Sequence, residues 1–196
     1  MFEKRMKRVY IIAGCNGAGK TTASFTLLPD FIHCNEFVNA DEIAQGLSPL
    51  KPDAMVFQAG KLMIERINWL FSQNKNFAIE TTLATRRYLH FTKKFHNTDY
   101  RVSLLFFWLN SQDLALERVA TRVMEGGHNI PEDVVRRRYN LGLDYFFNQY
   151  RQHVDDWVLL DNSENEPKPI AQNSGHSLVI GNSFVWDKLR NKYEEK

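Results

Sequence analysis

Val9-Tyr10-Ile11-Ile12-Ala13-Gly14-Cys15-Asn16-Gly17-Ala18-Gly19-Lys20-Thr21 decides the fold. Residues 14–21 read G-x-x-x-x-G-K-T, an apolar run of strand length leads into them, and a helix-compatible stretch over 21–28 leaves them. Glycines at 14, 17 and 19 let the backbone curl so that successive N–H groups turn inward toward phosphate oxygens; a side chain there would block the approach. Lys20 reaches the outer phosphates as a point charge, Thr21 offers a hydroxyl to Mg²⁺, and the following helix adds the positive end of its dipole. Gly14, Asn16, Gly17, Ala18, Gly19, Lys20, Thr21 and Thr22 are the expected nucleotide-binding residues.

Outward from this loop, apolar runs of strand length alternate with helical patterns. Strands are expected over 8–13, 37–39, 76–80, 101–109 and 157–160, and crossover helices over 41–45, 53–73 and 86–95. This alternation predicts a parallel sheet flanked by helices, an α/β three-layer sandwich. Ser111 can cap a helix over 112–124, Gly126-Gly127 ends it, and Pro131 starts another running to about Phe147. That helix, glycine turn, helix unit interrupts the sheet rhythm and reads as a lid over about 118–138. Residues 162–169 read as a loop, followed by short apolar pieces and a helix over 184–193. One domain spans 1–196.

The 196 residues carry 25 Lys+Arg against 23 Asp+Glu, a net charge of +2, which argues against a bulk nucleic-acid or membrane footprint. Two cysteines, Cys15 and Cys34, imply no disulfide framework and fit a reducing cytoplasm; Cys15 reads as a passenger in the loop. The basic start Glu3-Lys4-Arg5-Met6-Lys7-Arg8 is followed by too short an apolar run for a signal peptide. The most hydrophobic stretch, Val102 to Leu109, is far short of the roughly 20 residues that cross a bilayer.

Asp41 ends the second strand, and the carboxyl ends of an open parallel sheet face the same crevice as the P-loop. It is the candidate base that accepts the proton of an attacking hydroxyl, or else a cap for the helix after it. Glu80, at the end of the third strand, can hold Mg²⁺ or bind substrate hydroxyls, with Thr81-Thr82 beside it; a buried hydrogen-bonded acid is the structural alternative. Arg118 and Arg122 are four apart, share one helix face and suit joint phosphate contact. Of Arg136-Arg137-Arg138, spaced about 100° apart on a helix, one or two can converge on a ligand, the rest being solvated or paired with Glu132 or Asp133. His128 reads as an ordinary loop histidine. Asn162, after the last strand, either edges an adenine base or forms a turn. The aromatic cluster of Tyr139, Tyr145, Phe146, Phe147 and Tyr150 reads as packing.

Gly14 to Thr22, Asn39-Ala40-Asp41, Glu80-Thr81-Thr82-Leu83, Arg118 to Arg122, Gly126 to Val134 and Asp161-Asn162-Ser163 together resemble the zeta toxin family of P-loop kinases, in its compact stand-alone branch. The resemblance covers most of the chain. It implies an adenylate-kinase-like core with strand order 2-3-1-4-5, Mg-ATP as donor, and phosphorylation of a nucleotide-sugar hydroxyl, UDP-N-acetylglucosamine in characterised members. It places Asp41 on the catalytic aspartate, Lys20 and Thr21 on the ATP and Mg²⁺ positions, and Glu80 and Thr82 on the substrate-binding acid and threonine. The lid arginines 118 and 122 fall on the transfer-stabilising ones. Ala84 stands where zeta toxins carry an arginine, and Arg86 and Arg87 follow; Arg86 is the candidate substrate contact. An antitoxin partner is a further implication of the resemblance.

Two other classes share the P-loop. An ATPase or switch module coupled to a protein partner would carry L-S-G-G-Q or N-K-x-D, and neither string occurs here. A polynucleotide kinase would keep the mechanism and change the acceptor, but the chain lacks a basic-aromatic stripe.

Overall fold

A computed structural model describes residues 6–195 apart from 97, 128 and 176. Strand β1 (Lys7–Ala13) is buried from Val9 to Ala13, the continuous burial of a parallel strand covered on both faces. It feeds the P-loop and helix α1 (Lys20–Thr26), which widens into a π-type turn over Leu27–Ile32. Then come β2 (Phe37–Val38), α2 (Ala40–Leu47), a 3-10 turn (Pro52–Met55), α3 (Val56–Ser72) and β3 (Phe77–Thr81). Helix α4 (Arg87–His96) leads to β4 (Tyr100–Trp108), and α5 (Gln112–Met124) and α6 (Glu132–Tyr145) lead to β5 (Asp156–Asp161). Strands β6 (Lys168–Ser174) and β7 (Ser177–Ile180) and helix α7 (Ser183–Tyr193) complete the chain.

The sheet runs β2-β3-β1-β4-β5-β6-β7. Its first five strands are parallel in the order 2-3-1-4-5 expected from the resemblance, and the architecture is that of a P-loop NTPase. The sequence reading needs correction after Asp161. The short apolar pieces there are two further strands, β6 and β7, pairing antiparallel with β5 and with each other. Pro169 hides β6: it lies at a register shift opposite Leu160, where a residue without an N–H costs the ladder little.

Helices α5 and α6 form the crossover from β4 to β5, and their inner faces belong to the core: Ala115 and Val119 on one, Val135, Tyr139, Gly142 and Leu143 on the other. The short connection between them, with Gly126 and Gly127, borders the cleft. Helix α7 docks through Trp186, which stacks on Trp157 of β5 with ring centroids 5.6 Å apart and meets Phe147 at 5.5 Å. At the other end of the sheet Phe77, Phe95 and Tyr100 join β3, α4 and β4.

Register does the positioning. β1 pairs with β3 so that Ile12 lies beside Glu80 and Ala13 beside Thr81, which delivers the β3 acid to the mouth of the P-loop. Just beyond, Leu83 is fully buried with φ 60, a strained left-handed conformation for a branched residue. The Thr81 hydroxyl holds the bend by accepting the Leu83 N–H at 3.0 Å.

Candidate functional site at the P-loop

The three loop glycines are required by their surroundings. Gly14, Gly17 and Gly19 have φ of 143°, 79° and 77°, and a Cβ would stand 2.3 Å from the Phe107 carbonyl oxygen, 2.6 Å from that of Ala115 and 2.6 Å from Asn162 Nδ2, respectively. Such a cradle fits an anion, and α1 begins at its rim. Lys20 is buried, donates to the Cys15 carbonyl at 2.9 Å and lies 3.6 Å from Glu80 Oε1. Thr21 Oγ1 donates to Glu80 Oε2 at 2.8 Å. A loop hydroxyl and a strand-end acid in contact are the donor pair that would hold Mg²⁺ beside substrate phosphates, since Mg²⁺ keeps most of its shell as water and phosphate. Among the described residues no cluster of three or more His, Cys, Asp or Glu offers a metal site made of protein alone. Burial pushes the Cys15 thiol up to about 11, so it stays a protonated, inert part of the loop.

Asp41 is not the cap of α2. Asn39 takes that place, its side chain accepting the Asp41 N–H at 2.8 Å, and Asp41 sits in the first helical turn. Its carboxylate lines two adjoining cavities. One, of about 340 Å³, follows the P-loop and includes Lys20, Thr21, Glu80, Arg118 and Arg122. The other, of about 410 Å³, lies between α2, the 3-10 turn and the Gly126-Gly127 connection. Thr21, Asp41 and Arg122 line both.

The arginines divide differently from the expected joint contact of Arg118 and Arg122. Arg118 donates to the carbonyls of Asn162 at 2.8 Å and Ser163 at 3.0 Å, tying α5 to the loop after β5. Arg122 remains at the junction of the cavities. Asn162 points its amide at the P-loop rather than leaving it for a base: Nδ2 donates to the Ala18 carbonyl at 2.8 Å. Of the triple run, Arg136 is taken up by Glu132 and Asp113, as expected for a surface arginine, while Arg138 reaches Asn16 Oδ1 at 3.1 Å. Burial pushes the Arg138 guanidinium down from its ordinary value while the nearby Asp41 charge pushes it back up. Arg138 is the functional candidate the sequence reading did not single out. Helical spacing carries its signal, since 138 stands three after buried Val135 and four before buried Gly142, on the inner face of α6.

Two expected substrate contacts lie elsewhere. Arg86 stacks over the Tyr145 ring at 5.5 Å, and neither Arg86 nor Thr82 lines the two cavities. The Thr82 carbonyl packs against Gly142, where a Cβ would stand 2.7 Å away. His128 lies outside the described residues. Among the described residues no helix is long and apolar enough to cross a membrane.

A parallel core of order 2-3-1-4-5, a P-loop after its central strand and a paired acid on the neighbouring strand define a P-loop NTPase fold. The chain belongs to the family of an uncharacterized protein from Haemophilus influenzae, with which it is 31% identical over 127 residues, 64% of this chain and 88% of that protein. No family model matches. Among solved structures, the AvrRxo1-ORF1:AvrRxo1-ORF2 complex with sulphate ions has a TM-score of 0.76 at 16% identity over 94% of this chain, and the same complex with ATP has 0.74. This chain spans 63% of the AvrRxo1 chain it matches. The structure of the PezAT chromosomal toxin-antitoxin system of Streptococcus pneumoniae has a TM-score of 0.66 at 16% identity, covering 100% of this chain and 90% of that one. At such identities the likeness is one of fold.

Proposed function

We propose that this chain is an ATP-dependent phosphotransferase that moves the γ-phosphoryl group to a hydroxyl of a small metabolite. The observation that carries this reading is the pair of cavities meeting at Thr21, Asp41 and Arg122, a donor side and an acceptor side with a carboxylate between them. The loop amides and Lys20 bind the donor phosphates. Thr21 and Glu80 would hold Mg²⁺, which would neutralise charge on the transferring group. Asp41 orients the acceptor hydroxyl and takes its proton, Arg122 stabilises charge on the phosphoryl group in flight, and Arg138, held at the P-loop by Asn16, adds positive charge near Asp41. Arg118 and Asn162 act on the donor side as braces of the loop, and Gly126 and Gly127 line the acceptor side of the cleft.

The sequence resemblance names a nucleotide sugar as acceptor, with Thr82 and Arg86 as contacts. Neither residue lines the acceptor cavity, so this proposal rests on Asp41 and the cavity walls instead. A protein partner of the antitoxin kind belongs to the same reading, supported by the two-component character of the PezAT system. So does a cytoplasmic location, which suits the two free, buried cysteines.

The test is incubation with γ-labelled ATP, Mg²⁺ and a panel of sugars, nucleosides, nucleotide sugars and oligonucleotides, following labelled product separately from free phosphate. Label on a small hydroxyl compound is expected. Label on oligonucleotides alone would make the chain a polynucleotide kinase, and label only as free phosphate throughout would make it a switch or ATPase.

A further inference from the structure

At the end of the sheet where β2 is bonded to β3 alone, a groove of about 610 Å³ lies between β2, α2 and α3. Its wall is mostly apolar, built from Phe37, Val38, Ile43, Leu62 and Trp69. Trp69 is 48% exposed on α3. Phe25 of α1, itself exposed, meets Phe37 edge-on with ring centroids 6.0 Å apart and carries the apolar surface beyond the groove. Large aromatic side chains left in water around a concave apolar wall favour docking, because a partner that covers them removes their area from water.

Charge decides the partner. Arg66, the cation of the described lining, is already taken: it donates to Glu36 Oε2 at 2.7 Å, and its guanidinium lies 4.5 Å from the Trp69 ring centroid. Glu42 and Glu65 line the groove, are exposed and have no ion pair among the described residues. Glu65 and Trp69 are four apart on α3 and share one helix face, which places a free carboxylate beside the exposed ring. An anionic membrane or a nucleic-acid backbone would meet those carboxylates with like charge. A cationic and apolar protein segment complements both features, and a groove walled by two helices suits a third helix laid into it.

We propose that this groove docks an amphipathic helix of a partner protein, with an apolar anchor against Trp69 and lysine or arginine beside the anchor facing Glu42 and Glu65. The site stands apart from the phosphotransferase reading, which assigns no role to Trp69, Glu65 or Glu42.

The experiment pans a random peptide library displayed on phage against the immobilised full chain without nucleotide, then measures the enriched peptides by fluorescence anisotropy on the parent, Trp69→Ala and Glu65→Lys. Enriched peptides should combine an aromatic or leucine anchor with lysine or arginine within one helical turn, and should gain helical circular dichroism on binding. Their Kd should rise at least about tenfold in Trp69→Ala and at least about fivefold in Glu65→Lys. A peptide whose lysine is changed to glutamate should bind Glu65→Lys better than the parent, a charge swap that misfolding cannot imitate. An unchanged melting temperature certifies both variants as folded. No enrichment, enrichment of acidic peptides, or binding unmoved by both variants overturns the proposal. Self-association of the chain that Trp69→Ala abolishes would assign the groove to a second copy and overturn it equally.

Discussion

Glu80→Gln should weaken the folded protein and make it bind metal-free polyphosphate more tightly. The Glu80 and Lys20 side chains are only 8% and 7% exposed, with Oε1 and Nζ 3.6 Å apart. At an effective dielectric of about 20 their attraction is ~4.6 kcal/mol before desolvation is charged against it. Removing one partner of such a buried pair costs about 3–5 kcal/mol, because the other charge stays buried. Glutamine keeps the volume and an acceptor for the Thr21 hydroxyl, and Lys20 keeps the Cys15 carbonyl, so about 3 kcal/mol is expected. For a chain of this size that corresponds to a fall in melting temperature of roughly 6–12 °C. A polyphosphate anion restores the missing negative charge. In the parent protein that anion must compete with Glu80 for Lys20, and in the variant it does not. Differential scanning calorimetry in EDTA, with and without tripolyphosphate, reads both effects. The added stabilisation by tripolyphosphate should be larger in the variant, about 2.7 kcal/mol at a hundredfold excess over its Kd. A variant melting within 2 °C of the parent, or binding metal-free tripolyphosphate no better, would refute the reasoning.

The arginines of α6 should separate cleanly. Arg138→Ala should lower kcat at least tenfold, whereas Arg136→Ala, which removes two exposed ion pairs and a hydrogen bond to Gln112, should change stability by about 1 kcal/mol and leave turnover alone; equal effects in steady-state assays would contradict the placement. Asn162→Ala removes the amide that fixes the Ala18 carbonyl, so a loss of about 1 kcal/mol and weaker ATP binding are expected by denaturation and titration calorimetry. Asp156 lies below its ordinary value of 3.8 because Arg101 donates to both of its oxygens, so the folded state binds fewer protons than the unfolded. Its contribution is therefore full above about pH 5 and fades as pH falls through 3.8 toward the folded value. Melting curves of Asp156→Asn should lie below the parent's at pH 7 and converge with them below pH 4.

The P-loop and the five parallel strands were legible because each rests on a short-range signal. The glycines answer to close backbone contacts, and the continuous apolar runs answer to burial on both faces. Strands β6 and β7 were not, because Pro169 breaks one run and Ser177–Ile180 is short and wholly exposed, so neither burial nor length marks it. At the site, the loop motif pointed to Lys20 and Thr21 and strand-end position to Asp41 and Glu80, and all four line one cavity. The roles of Asn39, Asn162 and Arg138 depend on contacts across 2, 144 and 122 residues of chain, and only the first is local. Arg86 shows the converse: its number after Thr82 suggested the cleft, and the ring of Tyr145 takes it instead.

The central claim, that Asp41 joins a donor cavity to an acceptor cavity, is tested most directly by Asp41→Asn with a labelled acceptor in hand. Single-turnover transfer from γ-labelled Mg-ATP should fall by at least about a thousandfold, ~4 kcal/mol of transition-state stabilisation. The Kd for Mg-ATP should stay within about threefold of the parent's, because the cradle and Lys20 are untouched. Transfer at the native rate by this variant would contradict the account.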